Sequence, residues 1–84
     1  MILTSDFSKW QLENYNTDIL EGAKQRCTDK MRFHQNEINS GYVSEYHIEQ
    51  LKRYSAERLK WIPIIRAAKE RDAVAKAEFN SYFN

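Results

Sequence analysis

The sequence predicts an all-α protein: an antiparallel helical hairpin, with a third helical segment redirected at Pro63, making a small helical bundle. Three observations lead there. Apolar residues recur three and four apart over most of the 84 residues, the spacing of one face of a helix. Only two glycines and one proline are present, few for a fold of strands and turns. Near the middle, Asn39-Ser40-Gly41 supplies residues that tolerate a left-handed helix end, and Ser44 follows as an N-cap.

The first helix is predicted over about 5–39. Ser8-Lys9-Trp10-Gln11 fits a capping box, and Ser5 offers an earlier start. Leu12, Tyr15, Ile19, Ala23, Cys27, Met31, His34 and Ile38 then form a sustained apolar stripe. Asn16-Thr17-Asp18 offers a fresh cap inside this run, and Gly22 weakens the helix interior, so a break near Asn16 is the alternative.

The second helix is predicted over 44–62, with Val43 and Ile48 at the positions of a hydrophobic staple around Ser44. So short a connection makes the two helices antiparallel neighbours, bringing together residues whose numbers sum to about 82. Acidic Asp6, Glu13, Asp18 and Glu21 then run along the basic stretch Lys60 to Lys76, so charge supports the same pairing.

The third segment, 63–82, rests on a change of phase. Ile48, Leu51, Ser55, Leu59 and Ile62 make one stripe, and Ile65, Ala68, Ala75, Phe79 and Phe83 make another, turned by roughly 120°. Pro63 sits at the change; it lacks an amide hydrogen and its ring clashes with the carbonyl four residues back. A fold-back starting at Pro63 satisfies both stripes, and on that reading Pro63→Ala does not stabilise the protein; the alternative is one gently kinked helix with two weak faces.

Size and composition set the remaining bounds. A chain of 84 residues makes one domain, 1–84, with a modest core. No apolar run approaches the roughly 20 residues that span a bilayer, and the basic-then-apolar pattern of a secretory signal is not seen, so a cytoplasmic location with no membrane contact is expected. The single cysteine, Cys27, excludes an internal disulfide. The net charge of +1 gives no global attraction to nucleic acid.

No nucleophile comes with an evident base, and no glycine-rich phosphate cradle exists, so an enzyme is not expected and no cofactor or metal is called for. His34 and His47 obey the pairing sum and approach across the turn; with Cys27 they are read as part of the core rather than as the three or four ligands of a zinc site. A pH-sensitive helix pair is the functional version of the same juxtaposition.

The surplus of aromatics is what sets the sequence apart: Phe7, Trp10 and Phe33 fall off the first helix's stripe, and Tyr42, Tyr46, Tyr54 and Tyr82 sit at edges. Aromatic side chains and arginine dominate binding hot spots. The expected function is therefore a small non-enzymatic protein-binding module, an adaptor, chaperone or inhibitor. Its anchors are Phe7, Trp10 and Phe33, with Arg53 and Lys60 as rim charges, and it is expected to form a homodimer. The alternative is a small nucleic-acid-associated regulator using Lys52, Arg53, Lys60 and Arg71 of the basic 52–71 segment.

Overall fold

The computed structural model describes residues 2–82. Three α-helices follow a short 3-10 turn at Thr4–Asp6: α1 over Lys9–Asn14, α2 over Thr17–Asn39 and α3 over Glu45–Ser81. No strand occurs among the described residues. The molecule is a rod of 60 × 23 × 16 Å, with α2 lying along α3 as an antiparallel hairpin and residues 2–15 strapped across the pair.

The caps form where the sequence places them. Ser8 Oγ accepts from Gln11 N at 3.1 Å while Ser8 N donates to Gln11 Oε1 at 2.7 Å, a complete capping box. The chain breaks at Tyr15, and Asn16 Oδ1 accepts from Ile19 N at 3.1 Å to start α2 afresh. The turn between the long helices depends on Gly41, whose φ of +98° a residue with a Cβ adopts only under strain. There Tyr42 N donates to Glu37 O at 2.9 Å and Gly41 N to Ile38 O at 3.1 Å, closing the last carbonyls of α2 in a Schellman motif. Ser44 Oγ then accepts from His47 N to open α3.

Past Pro63 the structure departs from the expectation. Helix α3 runs 37 residues through the proline without interruption, so there is no fold-back and no separate third segment. At 1.5 Å per residue it is about 55 Å long and accounts for the length of the rod. The reason lies in the seam. The residues of α3 that face α2 are His47, Leu51, Tyr54, Arg58, Trp61, Ile65 and Ala68, alternately four and three apart and all half-buried or buried. That is one continuous stripe with the period of a coiled coil. Leu59, assigned to the first predicted stripe, is 64% exposed, and Pro63 is exposed as well. The carbonyl left without a donor at Leu59 therefore lies toward water, where a proline is tolerated best. Ala75 and Phe79 of the second predicted stripe are exposed, and Phe83 lies outside the described residues.

The core is small and sits at one end. Phe7, Leu20, Ala23, Cys27, Trp61, Ile65 and Ala68 are buried, with Ile2, Leu12, Tyr15, Tyr54 and Ile64 packed around them. Phe7 meets Trp61 edge to face at 5.3 Å and Tyr15 at 6.1 Å, the arrangement that ring quadrupoles favour. Polar bonds fix the strap. Ile2 O accepts from Trp61 Nε1 at 3.0 Å and from the Cys27 thiol at 3.5 Å. The buried Glu57 carboxylate accepts from Thr4 N and Thr4 Oγ1, both at 3.1 Å, and from Lys60 Nζ at 3.2 Å. Arg71 donates to the carbonyls of Glu13 and Tyr15, which α1 leaves open at its C-terminus. Of the expected charge pairing between α2 and the basic stretch, Lys69 Nζ to Glu21 Oε1 at 2.9 Å is formed.

Candidate functional site

The five residues expected to make a protein-binding surface do not come together. Phe7 is a correction: it is 8% exposed and belongs to the core, because the strap turns its ring inward against Trp61. Trp10 is 65% exposed, on α1 beside a shallow groove of about 440 Å³ lined by Leu12, Pro63, Ile64 and Ala67. Phe33 is 52% exposed at the far end of the hairpin, against His47. The rise between His47 and Pro63 puts the two anchors about 25 Å apart. Arg53 lies over the Tyr54 ring at 5.8 Å, a cation–π contact, and Lys60 is held by Glu57.

Of the four cations expected for nucleic acid, Arg53, Lys60 and Arg71 are thus engaged inside the molecule, the last with two carbonyls. Lys52 is exposed on α3. Along the uninterrupted α3, Arg53, Lys60 and Arg71 fall on one side of the helix and Lys52 stands about 100° away.

What the fold does gather is a cluster of rings at the hairpin apex. His34 of α2 and His47 of α3 meet with their Nδ1 atoms 2.8 Å apart. One nitrogen donates and the other accepts, so in the neutral pair the two rings hold opposite tautomers at Nδ1. Their centroids are 5.1 Å apart, close to the largest separation that such a contact allows, so the rings point straight at each other. The two lone pairs then share one line instead of converging beside it, which is poor geometry for a metal ion. Among the described residues, no group of three His, Cys, Asp or Glu side chains gathers to hold one.

Aromatic side chains enclose the pair. Phe33 stands edge-on to both imidazoles, at 5.1 Å from His34 and 6.2 Å from His47. Tyr46 does the same at 5.7 and 5.2 Å, and Tyr54 stacks on His34 at 6.1 Å. His34 is 4% exposed. Burial, with the nearby charges of His47 and Lys30, holds its pKa below the ordinary 6.5, while Glu37 acts in the opposite direction. Cys27, at the other end of the core, is raised by burial and by Glu57, which keeps it a thiol and unreactive.

The outer surface of the apex is apolar. Phe33, Tyr42 at 67%, Val43 at 65% and Tyr46 at 61% are exposed around the turn. From the sequence Phe33 is expected as an anchor, whereas Tyr42 and Tyr46 are set only at edges and Val43 is given to a hydrophobic staple. Their position flanking Gly41 was the available signal, since a tight turn leaves neighbouring side chains without a helix to cover them.

These features define an all-α hairpin strapped at one end and aromatic at the other. No helix of the described residues is long and apolar enough to cross a membrane. Comparison with protein-family models, with curated proteins and with solved structures finds no match to the chain.

Proposed function

We propose that the protein is a non-enzymatic protein-binding module, an adaptor, chaperone or inhibitor of another cytoplasmic protein, and that the hairpin apex is the surface it presents. The observation that carries this reading is the exposure of Phe33, Tyr42, Val43 and Tyr46 around one turn. Tyrosine and phenylalanine supply large contact area with few rotatable bonds, which suits them to a binding patch. The backbone beneath them is held by the Schellman motif and by the histidine pair, so little ordering remains to be done on binding.

The test is capture of partners from the native host by wild type, Phe33→Ala/Tyr46→Ala and Trp10→Ala. The apex double variant is expected to lose its partner with its circular dichroism unchanged, and Trp10→Ala to keep it. Loss with Trp10→Ala alone would move the surface to α1. Binding through the apex should change little with salt. A steep fall would favour the competing reading, a nucleic-acid regulator built on Lys52, Arg53, Lys60 and Arg71. Self-association belongs to the same proposal: α3 continues beyond the start of α2, leaving Val74 and Tyr82 58% and 86% exposed on a stretch that a second copy can cover. Sedimentation of a monomer at high protein concentration would rule the homodimer out.

A further inference from the structure

Three cations outside the ion pairs of the described residues line one hollow. Lys24 and Arg32 of α2 and Arg58 of α3 line a pocket of about 330 Å³ together with Thr28, Gln25 and Glu21. Lys24, Thr28 and Arg32 are four residues apart in turn, so they stand one above another on the same face of α2. Arg58 reaches over from α3 onto the middle of that row. Its position is fixed by a relay: Arg58 Nε donates to Thr28 Oγ1 at 3.1 Å, and Thr28 Oγ1 donates to Lys24 O at 3.3 Å. This holds the guanidinium by its Nε and leaves its two terminal nitrogens for a ligand.

Charge at the pocket is uncompensated. The lining carboxylate, Glu21, is held by Lys69 at 2.9 Å. Asp29, next along α2, accepts from Gln25 Nε2 at 3.0 Å. Among the described residues, no carboxylate comes within ion-pair distance of Lys24, Arg32 or Arg58. The basic site expected from the sequence uses other residues, Lys52, Arg53, Lys60 and Arg71.

The geometry points to a binding site for a phosphoryl group in this pocket, with Arg58 as the aimed fork and Lys24 and Arg32 as flanking charges. A guanidinium fixed through Nε offers parallel N–H donors that match two oxygens of a tetrahedral anion. A phosphate monoester, with a charge of about −1.5 to −2, answers three cations better than a carboxylate does. The volume is at the small end for ligand pockets, which suits one or two phosphoryl groups and a small body. Arg58 sits at the middle of a row only about 12 Å long, so the ligand is a small phosphorylated molecule rather than a nucleic-acid backbone. This inference does not rest on the protein-binding reading.

The test is titration of the full chain with inorganic phosphate, pyrophosphate, a nucleoside diphosphate and short oligonucleotides of increasing length, followed by amide chemical shifts. Saturable binding of pyrophosphate or the diphosphate at or below about 1 mM is expected, with shifts confined to residues near 21–32 and 58. Arg58→Lys, which keeps the charge and loses the fork, and Arg32→Ala, at an exposed position, should each weaken it about tenfold. Thr28→Val is the sharpest variant, because it removes the relay while leaving every cation in place. Binding unchanged by Thr28→Val, or weakened equally by Lys52→Ala, would show diffuse attraction and overturn the site. So would an affinity that rises with oligonucleotide length while the small phosphates fail to bind.

Discussion

The two ends of the hairpin bury different things. At the strapped end, Phe7, Leu20, Ala23, Cys27, Trp61, Ile65 and Ala68 make an apolar cluster; Trp61 Nε1 and the Cys27 thiol both donate to Ile2 O, and bonds of Thr4 and Lys60 to Glu57 and of Arg71 to Glu13 O hold the strap over it. At the apex the one buried side chain among the described residues is His34, joined to His47 by one hydrogen bond and ringed by half-exposed aromatics. A single seam runs through both ends. The difference shows that regular helical spacing alone does not make a core; the strap does, by covering a face that two helices leave open.

The largest effect should come from cutting the strapped end at its centre. Trp61 is fully buried and carries both the ring contact to Phe7 and the bond to Ile2 O. Trp61→Ala is expected to destabilise by about 3–5 kcal/mol. Phe33→Ala at the half-exposed apex should cost much less, within about 1 kcal/mol. Urea denaturation of the two variants measures the contrast, and equal losses would mean that the ends are not distinct.

Next in size is Pro63. Because α3 runs straight through it, alanine restores the amide donor for the Leu59 carbonyl, and the sequence-based expectation of no gain is reversed. Proline is worth about 3 kcal/mol less than alanine inside a helix, and the exposed position reduces this. Pro63→Ala should raise stability by about 1–3 kcal/mol and raise the melting temperature.

Glu57 gives a smaller, pH-marked effect on the strap. Burial raises its pKa, but the Thr4 amide, the Lys60 ammonium and the Thr4 hydroxyl outweigh burial and leave it below the ordinary 4.5. A depressed carboxylate stabilises the fold above its unfolded pKa and loses that contribution as pH falls through the folded value. Glu57→Gln keeps an acceptor for Thr4 and loses the charge, so it should cost about 1–2 kcal/mol at neutral pH. Well below pH 4.5 the gap to wild type should close, as thermal melts across the acid range would show.

How much of this was legible follows from which residues carry it. Ser8, Asn16, Gly41 and Ser44 act through local bonds, so their caps and the turn could be read directly, and the pairing sum brought His34 to His47. The seam of α3 was misread because it includes His47 and Arg58, polar residues that a search for aliphatic stripes skips. The apparent change of phase at Pro63 followed from that omission. Phe7 was misplaced for a different reason: its burial depends on Glu57 and Trp61, fifty or more residues away, holding the strap down. The Arg58 relay to Thr28 likewise needs two helices in register before it exists.

The smallest expected effect belongs to the apex and is set by the histidine pair. His34 is held below 6.5 by burial, by His47 and by Lys30, with Glu37 of the same helix opposing; from α3 it faces His47, Tyr46 and Tyr54. The folded state therefore resists the charged form more than the unfolded chain does. Stability from this site is complete above pH 6.5 and is lost as pH falls from 6.5 through the lower folded value. One added proton, on Nε2 of the ring that donates at Nδ1, keeps the bond, whereas a second puts two cations face to face in an apolar ring. Loosening should therefore be local. Amide exchange near residues 34 and 47 should quicken relative to Leu20 and Trp61 before the strapped end responds in the carboxylate range, and His34→Gln should abolish the difference. A flat exchange ratio from pH 6.5 down to that range would mean that the apex does not sense protons, and that its looser packing is indifferent to pH.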